Sequence, residues 1–372
     1  MTRADILVIG GGIAGISAAA RCAEAGARVV VLEREPGIGA HSTARSAAIF
    51  IANYGNATLR AINAASGPLL AEPDGLADHP LLTPRGFLIF ADEARLPELA
   101  AMQAGATGME ALSAQQAIEL APILRPERIA GAVYEAEARD IDVDLLLNGF
   151  ARLLRAHGGQ VVTGAEVLAV ERGQDWTVTC KAGSYSAPVV INAAGAWGDI
   201  VAQMAGLAPV GLVPMRRSAA ILPAPDGENI AAWPLFGRVD DAWYAKPMGG
   251  RLMVSPAEED PVAPHDAWPD DMVLAEGLDR FEQDVTMRVS RVERSWAGLR
   301  SFVPDRTLVA GFDANAKGFF WLVGQGGYGV QTAPAMAQLT ADLCMGRTPA
   351  LADWVVNALS PNRFSTRKGA DT

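Results

Sequence analysis

The sequence is poor in the residues that build disulfide frameworks and metal sites. Its 372 residues include three cysteines and four histidines. Neither set has the close spacing of a disulfide-rich fold or of a metal motif. We therefore expect a cytoplasmic protein without a bound metal ion. The residues concerned are Cys22, Cys180, Cys344, His41, His79, His157 and His265.

Positive charge and long apolar runs are also scarce. The chain has 31 Lys and Arg residues against 42 Asp and Glu residues, which gives a net charge of −11. The phosphates of a nucleic acid would be repelled on average, so a nucleic-acid partner is not expected. No segment has the roughly 18 apolar residues that a membrane-spanning helix needs. Three consecutive glycines inside the apolar N-terminus argue against a signal peptide.

The most informative motif lies at the start of the chain. An apolar run, Ile6–Ile9, leads into Gly10–Gly15, where glycines occupy the three defining positions of G-x-G-x-x-G. The small residues Ser17–Ala20 belong to a helix, and a second apolar strand, Arg28–Leu32, ends at Glu33. A strand, a glycine turn, a helix, a second strand and an acid in this order are typical of a dinucleotide-binding site.

Each glycine of the motif has a physical role. Gly10 permits the tight turn, Gly12 lets the backbone approach a pyrophosphate, and Gly15 lets the helix pack closely on the strand. Unpaired N–H groups at the helix N-terminus attract the anion. Glu33 follows the glycines by about 20 residues, the spacing at which a carboxylate accepts hydrogen bonds from the adenosine ribose.

The rest of the chain alternates between segments of a dinucleotide-binding domain and segments of a second domain. Residues 34–48 form a loop of small residues that suits a flat ligand, although an ordinary surface loop is the alternative. A second glycine-rich turn, Gly324–Gly329, precedes a helix predicted over Ala333–Met345 and offers a second ligand site. We predict an α/β fold, α+β overall, in which a Rossmann-like dinucleotide-binding domain is interwoven with a second domain built on an antiparallel sheet. The predicted ranges are 1–48, 140–211 and 300–372 for the first domain, and 49–139 and 212–299 for the second.

Several segments together resemble the D-amino-acid oxidase-like FAD-dependent oxidoreductase superfamily. The chain is most similar to bacterial D-amino-acid dehydrogenases of the D-arginine dehydrogenase type, over nearly its whole length. The resemblance implies that the Rossmann-like domain is an FAD-binding domain and that the second domain is a substrate domain. It also implies noncovalent FAD, and a covalent bond through His41 is the alternative. The segments that carry it are Gly10–Gly15 with Glu33, His41–Ala48, Asn192–Trp197, Trp296–Arg300 and Gly324–Gly329.

The resemblance also implies how FAD is held. Val167 would meet the adenine end through its backbone, and Gly327–Gln331 would face the pyrimidine edge of the flavin. A helix N-terminus suits that edge because reduction places negative charge there. The expected FAD contacts are Gly10, Gly12, Ile13, Ala14, Gly15, Glu33, Arg34, Ser42, Arg45, Ser46, Ala47, Ala48, Val167, Ala194, Gly195, Trp197, Gly327, Tyr328, Gly329, Val330 and Gln331.

The implied reaction is oxidation of an amino acid by hydride transfer from Cα to flavin N5. The product is an imino acid, which then yields a 2-oxo acid and ammonia. This chemistry needs a clamped carboxylate and a neutral amine but no nucleophile. Arg300 matches the family's carboxylate-binding arginine, a task that suits a guanidinium. Tyr244, Arg217 and Tyr54 match its helpers. A surface salt bridge is the alternative role for Arg300, and ordinary packing is the alternative for the other three.

Two departures from the relatives with basic substrates bear on specificity. Those relatives carry a histidine where this chain has Ile49 and an acid where it has Phe87. Without these groups a buried cationic side chain would be unpaired, which is costly. The sequence therefore predicts a neutral, apolar D-amino acid as the substrate.

The same sequence is compatible with other functions. The same residues would serve glycine, sarcosine or a cyclic secondary amine. A 2-hydroxy acid is a further alternative, although an alcohol needs a general base. The chain could also be a flavin-binding subunit of a multi-chain dehydrogenase. The electron acceptor could be a quinone, another carrier or O2.

Overall fold

A six-stranded sheet forms around the strand that precedes the glycine turn. Its first five strands are parallel, and the last is antiparallel to its neighbour. Strands Ile6–Ile9, Val29–Leu32 and Phe319–Val323 are buried at every residue, as expected for a parallel sheet covered on both faces. The strand order is Gln160–Val162, Val29–Leu32, Ile6–Ile9, Val189–Asn192, Phe319–Val323 and Val309–Phe312.

Helices cover one face of this sheet and a smaller sheet covers the other. On the first face, helix Ile13–Glu24 packs against Val143–Ala156 and Gly329–Cys344. The buried residues Ala18, Ala19 and Ala20 lie in this packed region, where small side chains let helices approach closely. The second face packs on a four-stranded sheet of Thr2–Arg3, Gly183–Ala187, Trp176–Cys180 and Val167–Arg172, together with helix Gly198–Met204.

A nine-stranded sheet forms the second large layer. Its pairings are antiparallel except where Leu235–Arg238 runs parallel to Phe87–Ala91, so the predicted antiparallel sheet is present. Helix Asp271–Asp284 packs on this sheet. The strand order is Asp260–Pro261, Val213–Leu222, Arg251–Ser255, Tyr244–Met248, Leu235–Arg238, Phe87–Ala91, Gly131–Glu135 and Met109–Leu112, with Arg294–Phe302 paired to Val213–Leu222.

The remaining elements are a small sheet and several helices. A three-stranded sheet joins Ile49–Phe50, Arg139–Ile141 and Leu82–Pro84. The other α-helices are Ala57–Ala71, Leu96–Gln103, Ala114–Leu120 and Asp353–Leu359, and the short 3₁₀ helices are Glu93–Arg95, Pro126–Arg128, Gly195–Trp197 and Ile230–Ala232. This computed structural model describes residues 1–73 and 75–364, so the end of the predicted range 300–372 lies outside the described residues.

The α/β fold predicted from the sequence is confirmed, with one notable shift in an element boundary. The helix predicted over Ala333–Met345 begins four residues earlier, at Gly329. The prediction placed Pro334 in the first turn, where proline is tolerated. In the structure Pro334 lies further inside the helix, whose buried face packs on Ile13–Glu24 and Ala57–Ala71. Within the described part of the chain, no helix is long and apolar enough to cross a membrane.

Candidate active site

A cleft with a volume of about 350 Å³ opens between the two large sheets. Its lining comes from the carboxyl ends of the parallel strands on one side and from the nine-stranded sheet on the other. Ligands of open α/β sheets bind at this end of the strands. The predicted site residues that line the cleft are Gly10, Gly12, Ile13, Ala14, Glu33, Arg34, Ser42, Arg45, Ser46, Ala47, Val167, Ala194, Gly195, Trp197, Arg217, Tyr244, Arg300, Gly327, Gly329 and Val330.

The glycines of the turn have two roles: some allow close packing within the fold, and one leaves space at the cleft. Gly10 has a φ of +110°, and a Cβ there would lie 2.3 Å from the Ala193 oxygen. A Cβ at Gly15 would lie 2.0 Å from the Gly10 oxygen, so both glycines serve close packing of the chain on itself. A Cβ at Gly12 would meet only the Thr43 hydroxyl, at 3.3 Å. The protein therefore leaves the space beside Gly12 for a ligand.

The Glu33 carboxylate stabilises the glycine turn directly. It is buried, and its two oxygens accept hydrogen bonds from the backbone N–H groups of Gly11, at 2.6 Å, and Glu35, at 2.7 Å. A carboxylate can accept about four hydrogen bonds. Glu33 thus retains capacity for the hydroxyl groups of a ribose.

We expect Glu33→Gln to destabilise the protein by about 1–3 kcal/mol, because one of two backbone donors would face an amide N–H₂ and lose its acceptor. Thermal denaturation of the variant measures this change. The control is Glu24→Gln, since Glu24 pairs with Arg21 at 2.7 Å on the surface and such pairs contribute little. Equal melting temperatures for the two variants would contradict the role given to Glu33.

One end of the cleft is built from flat groups. The Arg34 guanidinium lies 4.7 Å from the centre of the Trp197 ring, and the His41 ring lies 5.0 Å from it. His41 Nε2 is 2.9 Å from a Glu35 oxygen, whereas His41 Nδ1 is buried without a hydrogen-bond partner among the described residues. Planar surfaces and an unsatisfied polar atom suit the adenosine half of FAD.

The small-residue loop, residues 34–48, is tied to the nine-stranded sheet. Arg45 Nη1 donates hydrogen bonds to the carbonyls of Ala267, at 2.9 Å, and Ala297, at 3.0 Å. The Ser42 hydroxyl donates to the Leu299 carbonyl at 2.6 Å. These contacts hold the loop along the cleft. The side chains of Arg45 and Ser42 are thereby engaged with protein, which leaves the loop backbone for a flat ligand.

Several predicted FAD contacts hold neighbouring loops and do not line the cleft. Gln331 is buried, and its side chain accepts a hydrogen bond from Ile51 N at 3.1 Å. The Ala48 carbonyl accepts from Ile141 N at 2.9 Å. The Tyr328 ring is also buried, and its centre lies 5.1 Å from that of Tyr54. Gly15 lies behind the turn, as its packing requires.

Arg300 is the cation at the opposite end of the cleft. Its Nη2 donates to the Tyr244 hydroxyl at 3.2 Å. Across residues 1–73 and 75–364, no carboxylate lies within 4.0 Å of its guanidinium, so the predicted alternative of a surface salt bridge finds no partner there. Burial opposes its charge, but Tyr244, Tyr54 and Asp241 outweigh burial and raise the pKa of Arg300. The cleft thus contains a positive charge that an anionic ligand can neutralise.

Two tyrosines flank this cation. Burial alone would raise the pKa of Tyr244, but the charges of Arg300 and Arg217 outweigh it and lower the pKa overall. Tyr54 is 37% exposed, and burial of its hydroxyl raises its pKa. A Cβ built on Gly327 would lie 3.1 Å from Arg300 Nη1 and 3.4 Å from the Tyr54 hydroxyl. The structure therefore brings Gly327, Arg300 and Tyr54 together.

Arg217 differs from Arg300 because it has a counter-charge. Arg217 Nη2 lies 3.1 Å from a Glu259 oxygen. Glu259 also accepts two hydrogen bonds from Arg306, at 2.9 and 2.8 Å. Glu259 and Arg306 were not predicted from the sequence. The acidic run Glu258-Glu259-Asp260 after strand Arg251–Ser255 was the available signal, but its partners are far away in the chain.

Ile49 and Phe87 lie beside the cleft and do not line it. Both belong to an apolar cluster in which the buried residues Ile51, Ile89, Val133 and Leu235 take part, and Tyr244 packs against that cluster. The wall behind Tyr244 is therefore apolar. A charged side chain reaching this wall would find no counter-ion among Ile49, Phe87 and these neighbours.

The fold and the cleft define a class of protein, the flavoprotein oxidoreductases that bind FAD on a Rossmann-like sheet. The chain belongs to the DAO family, described as FAD dependent oxidoreductase, whose profile matches residues 5–343. Its cofactor is FAD. The Glu33 carboxylate, the free space beside Gly12 and the unsatisfied His41 nitrogen fit that cofactor.

Similar proteins extend over nearly the whole chain. "FAD-dependent oxidoreductase domain-containing protein 1" of Bos taurus is 25% identical over 92% of this chain and 81% of its own length. The L-proline dehydrogenase of P. horikoshii superposes with a TM-score of 0.85 at 21% identity, over 98% of this chain and 99% of its own. Glycine oxidase of Geobacillus kaustophilus gives a TM-score of 0.84 at 21% identity, with the same coverage of both chains.

Proposed function

We propose that the chain oxidises an α-amino acid at Cα with FAD, and that the substrate is a D-amino acid with a neutral side chain. The observation that carries this proposal is Arg300, a cation in the cleft without a carboxylate partner among the described residues. A guanidinium in this setting suits a substrate carboxylate, which it can bind through two parallel hydrogen bonds. The Tyr54 and Tyr244 hydroxyls lie close enough to complete the carboxylate site.

The residues of the cleft perform binding and orientation. When bound, FAD supplies the hydride acceptor for the substrate Cα–H bond. Arg300 and the two tyrosines fix one end of the substrate, which converts the reaction into an intramolecular one. The helix that begins at Gly329 directs its N-terminal N–H groups towards the cleft, where the positive end of its dipole favours developing negative charge.

The proposed side-chain preference rests on the apolar cluster of Ile49 and Phe87 behind Tyr244. This cluster lies behind Tyr244 and offers no counter-ion there, so a cationic substrate side chain on that side of the cleft would lose hydration without compensation. The D-configuration rests on the resemblance of Arg300, Tyr244, Arg217 and Tyr54 to D-arginine dehydrogenase-type enzymes.

Glycine or a secondary amine is the second candidate substrate class. Solved structures with this fold include enzymes named for L-proline and for glycine. Such substrates would use the same carboxylate site, so Arg300 does not distinguish them. Comparison of glycine with larger D-amino acids does, because glycine has no side chain for the cleft to select.

Steady-state turnover of the purified holoenzyme tests the proposed function. The substrate panel contains neutral D-amino acids, their L-forms, D-arginine, glycine, sarcosine and D-proline, with an artificial electron acceptor or O2. We expect the highest kcat/KM with an apolar D-amino acid and much less with D-arginine. Preference for D-arginine would contradict the role of the apolar wall. Absence of turnover with every compound would favour a flavin-binding subunit.

A further inference from the structure

The loop that carries Tyr54, residues 51–55, lies between strand Ile49–Phe50 and helix Ala57–Ala71. It places the Tyr54 hydroxyl near Arg300, at the end of the cleft proposed to bind the substrate carboxylate. Loops that flank active sites are commonly the least stable part of an enzyme. This loop instead has its backbone bonded to buried polar side chains from two distant parts of the chain and from the helix that follows it.

Glu135 holds the first side of the loop. It ends strand Gly131–Glu135 and is 2% exposed. One carboxylate oxygen accepts a hydrogen bond from Ala52 N at 2.8 Å, and the other accepts from Asn53 Nδ2 at 2.8 Å. Asn53 also exchanges two hydrogen bonds of 2.9 Å with the backbone of Thr107.

Asn63 and Gln331 hold the second side of the loop, and both are buried. Asn63 Nδ2 donates to the Tyr54 carbonyl at 3.0 Å, and Gln331 accepts from Ile51 N at 3.1 Å. Gln331 Nε2 in turn donates to Asn63 Oδ1 at 2.8 Å. Polar networks that are fully satisfied in this way rigidify the structure around them.

Glu135 is unusual among the members of this network because it carries a charge. Within residues 1–73 and 75–364, no cationic group lies within 4.0 Å of its carboxylate. Burial raises the pKa of Glu135, and the hydrogen bonds from Asn53 and Ala52 act in the opposite direction. A buried carboxylate without a cation is costly unless its hydrogen bonds compensate, and those hydrogen bonds come from the loop.

We propose that Glu135 is a positioning residue of the active site, which fixes residues 51–54 and so holds Tyr54 beside Arg300. The effect on substrate binding rests on the proposed function, since it requires that Tyr54 and Arg300 bind a carboxylate. If the loop leaves this position, only the fraction of molecules with Tyr54 in place binds substrate with full affinity. The apparent dissociation constant then rises in inverse proportion to that fraction.

The first test uses Glu135→Gln in the FAD-loaded protein. One end of the new amide can still accept from Ala52 N, but its N–H₂ group would face the N–H₂ of Asn53. We expect hydrogen exchange of the Ala52 and Ile51 amides to accelerate by about 10- to 100-fold, the effect of losing a charge-assisted hydrogen bond. The dissociation constant of benzoate, used as a carboxylate probe and followed by the flavin spectrum, should rise about tenfold.

Three further variants make the test specific. Glu137→Gln is the matched control, since Glu137 is exposed and pairs only with Arg139, at 2.8 Å, among the described residues. The double variant Asn53→Asp with Glu135→Gln restores a carboxylate–amide pair in reversed order. It should recover part of the slow exchange and the benzoate affinity, a recovery that a merely structural role would not produce, although the new carboxylate can no longer donate to the Thr107 carbonyl. If Glu135→Gln does not fold, Asn53→Ala removes the same contact from a less buried position.

Unchanged amide exchange in Glu135→Gln, or in Asn53→Ala if that variant is needed, would overturn the proposal. A loosened loop with unchanged benzoate affinity would overturn it as well. If the wild-type protein fails to bind benzoate, the carboxylate role of Arg300 fails. Amide exchange still decides in that case whether Glu135 fixes the loop, so the two failures are distinguishable.

Discussion

Replacement of Arg300 by methionine is expected to lower kcat/KM for the best substrate by about 100- to 1000-fold. Methionine keeps much of the side-chain volume but removes the charge that contacts the Tyr244 hydroxyl and lies beside Tyr54. The substrate carboxylate would then enter the cleft without a partner, and a buried unpaired charge is strongly destabilising. Rapid mixing under anaerobic conditions, with the rate of flavin reduction followed against substrate concentration, measures this loss.

The control for Arg300→Met lies on the same strand. Arg294→Met removes an exposed guanidinium at the other end of Arg294–Phe302 and should leave kcat/KM within about twofold of wild type. Arg300→Lys should recover only part of the activity, because lysine keeps the charge but not the two-pronged geometry. An Arg300→Met enzyme with wild-type kcat/KM would remove the basis of the carboxylate site.

Replacement of Gly12 by alanine is expected to weaken FAD binding by about 100-fold while the fold is retained. The new Cβ would meet only the Thr43 hydroxyl within the protein, at 3.3 Å, so the chain can accommodate it. The methyl group would occupy the space through which the turn approaches the pyrophosphate. The FAD dissociation constant, measured by fluorescence titration of the deflavinated protein, checks this result.

Alanine substitutions at two other glycines serve as comparison variants for Gly12→Ala. A Cβ at Gly37 would meet nothing within 4 Å, so Gly37→Ala should bind FAD as the wild type does. A Cβ at Gly15 would lie 2.0 Å from the Gly10 oxygen, so Gly15→Ala should lose stability as well as FAD. Normal FAD affinity in Gly12→Ala would show that the cofactor does not pass close to this residue.

The nucleotide half of the protein could be predicted because its signals are local. Buried strands such as Ile6–Ile9 are continuous apolar runs, and the glycine turn follows directly in the chain. The close packing at Gly10 and Gly15 was predictable because glycine has no Cβ, so the residue type itself indicates a close approach of the backbone. The helix after Gly329 was harder to delimit, since proline usually marks a helix start and here tertiary packing overrides that preference.

The polar networks around the cleft could not be predicted, since their members are remote in sequence. Arg217 binds Glu259, which also binds Arg306, and no spacing rule links these residues. Gln331 is predicted to face the flavin, and its side chain bonds to the Tyr54 loop, a contact that the sequence did not indicate. A buried side-chain amide forms hydrogen bonds with whichever polar groups the fold places beside it. Its partners are therefore known only from the tertiary structure.

We propose that the chain divides into an FAD-binding domain around the parallel sheet and a substrate domain around the nine-stranded sheet. The predicted ranges place one boundary between residues 299 and 300. Strand Arg294–Phe302 crosses this boundary and carries Arg300 to the cleft. The cofactor site and the carboxylate site would then be coupled through one continuous strand.

Anaerobic mixing of the purified yellow protein with neutral D-amino acids tests the central claim most directly. No electron acceptor is needed, because the visible absorption band of oxidised flavin reports the first half of the reaction. We predict that apolar D-amino acids bleach this band within a single turnover and that D-arginine does not. If no amino acid or amine bleaches the flavin, although dithionite reduces it fully, the proposed function is wrong.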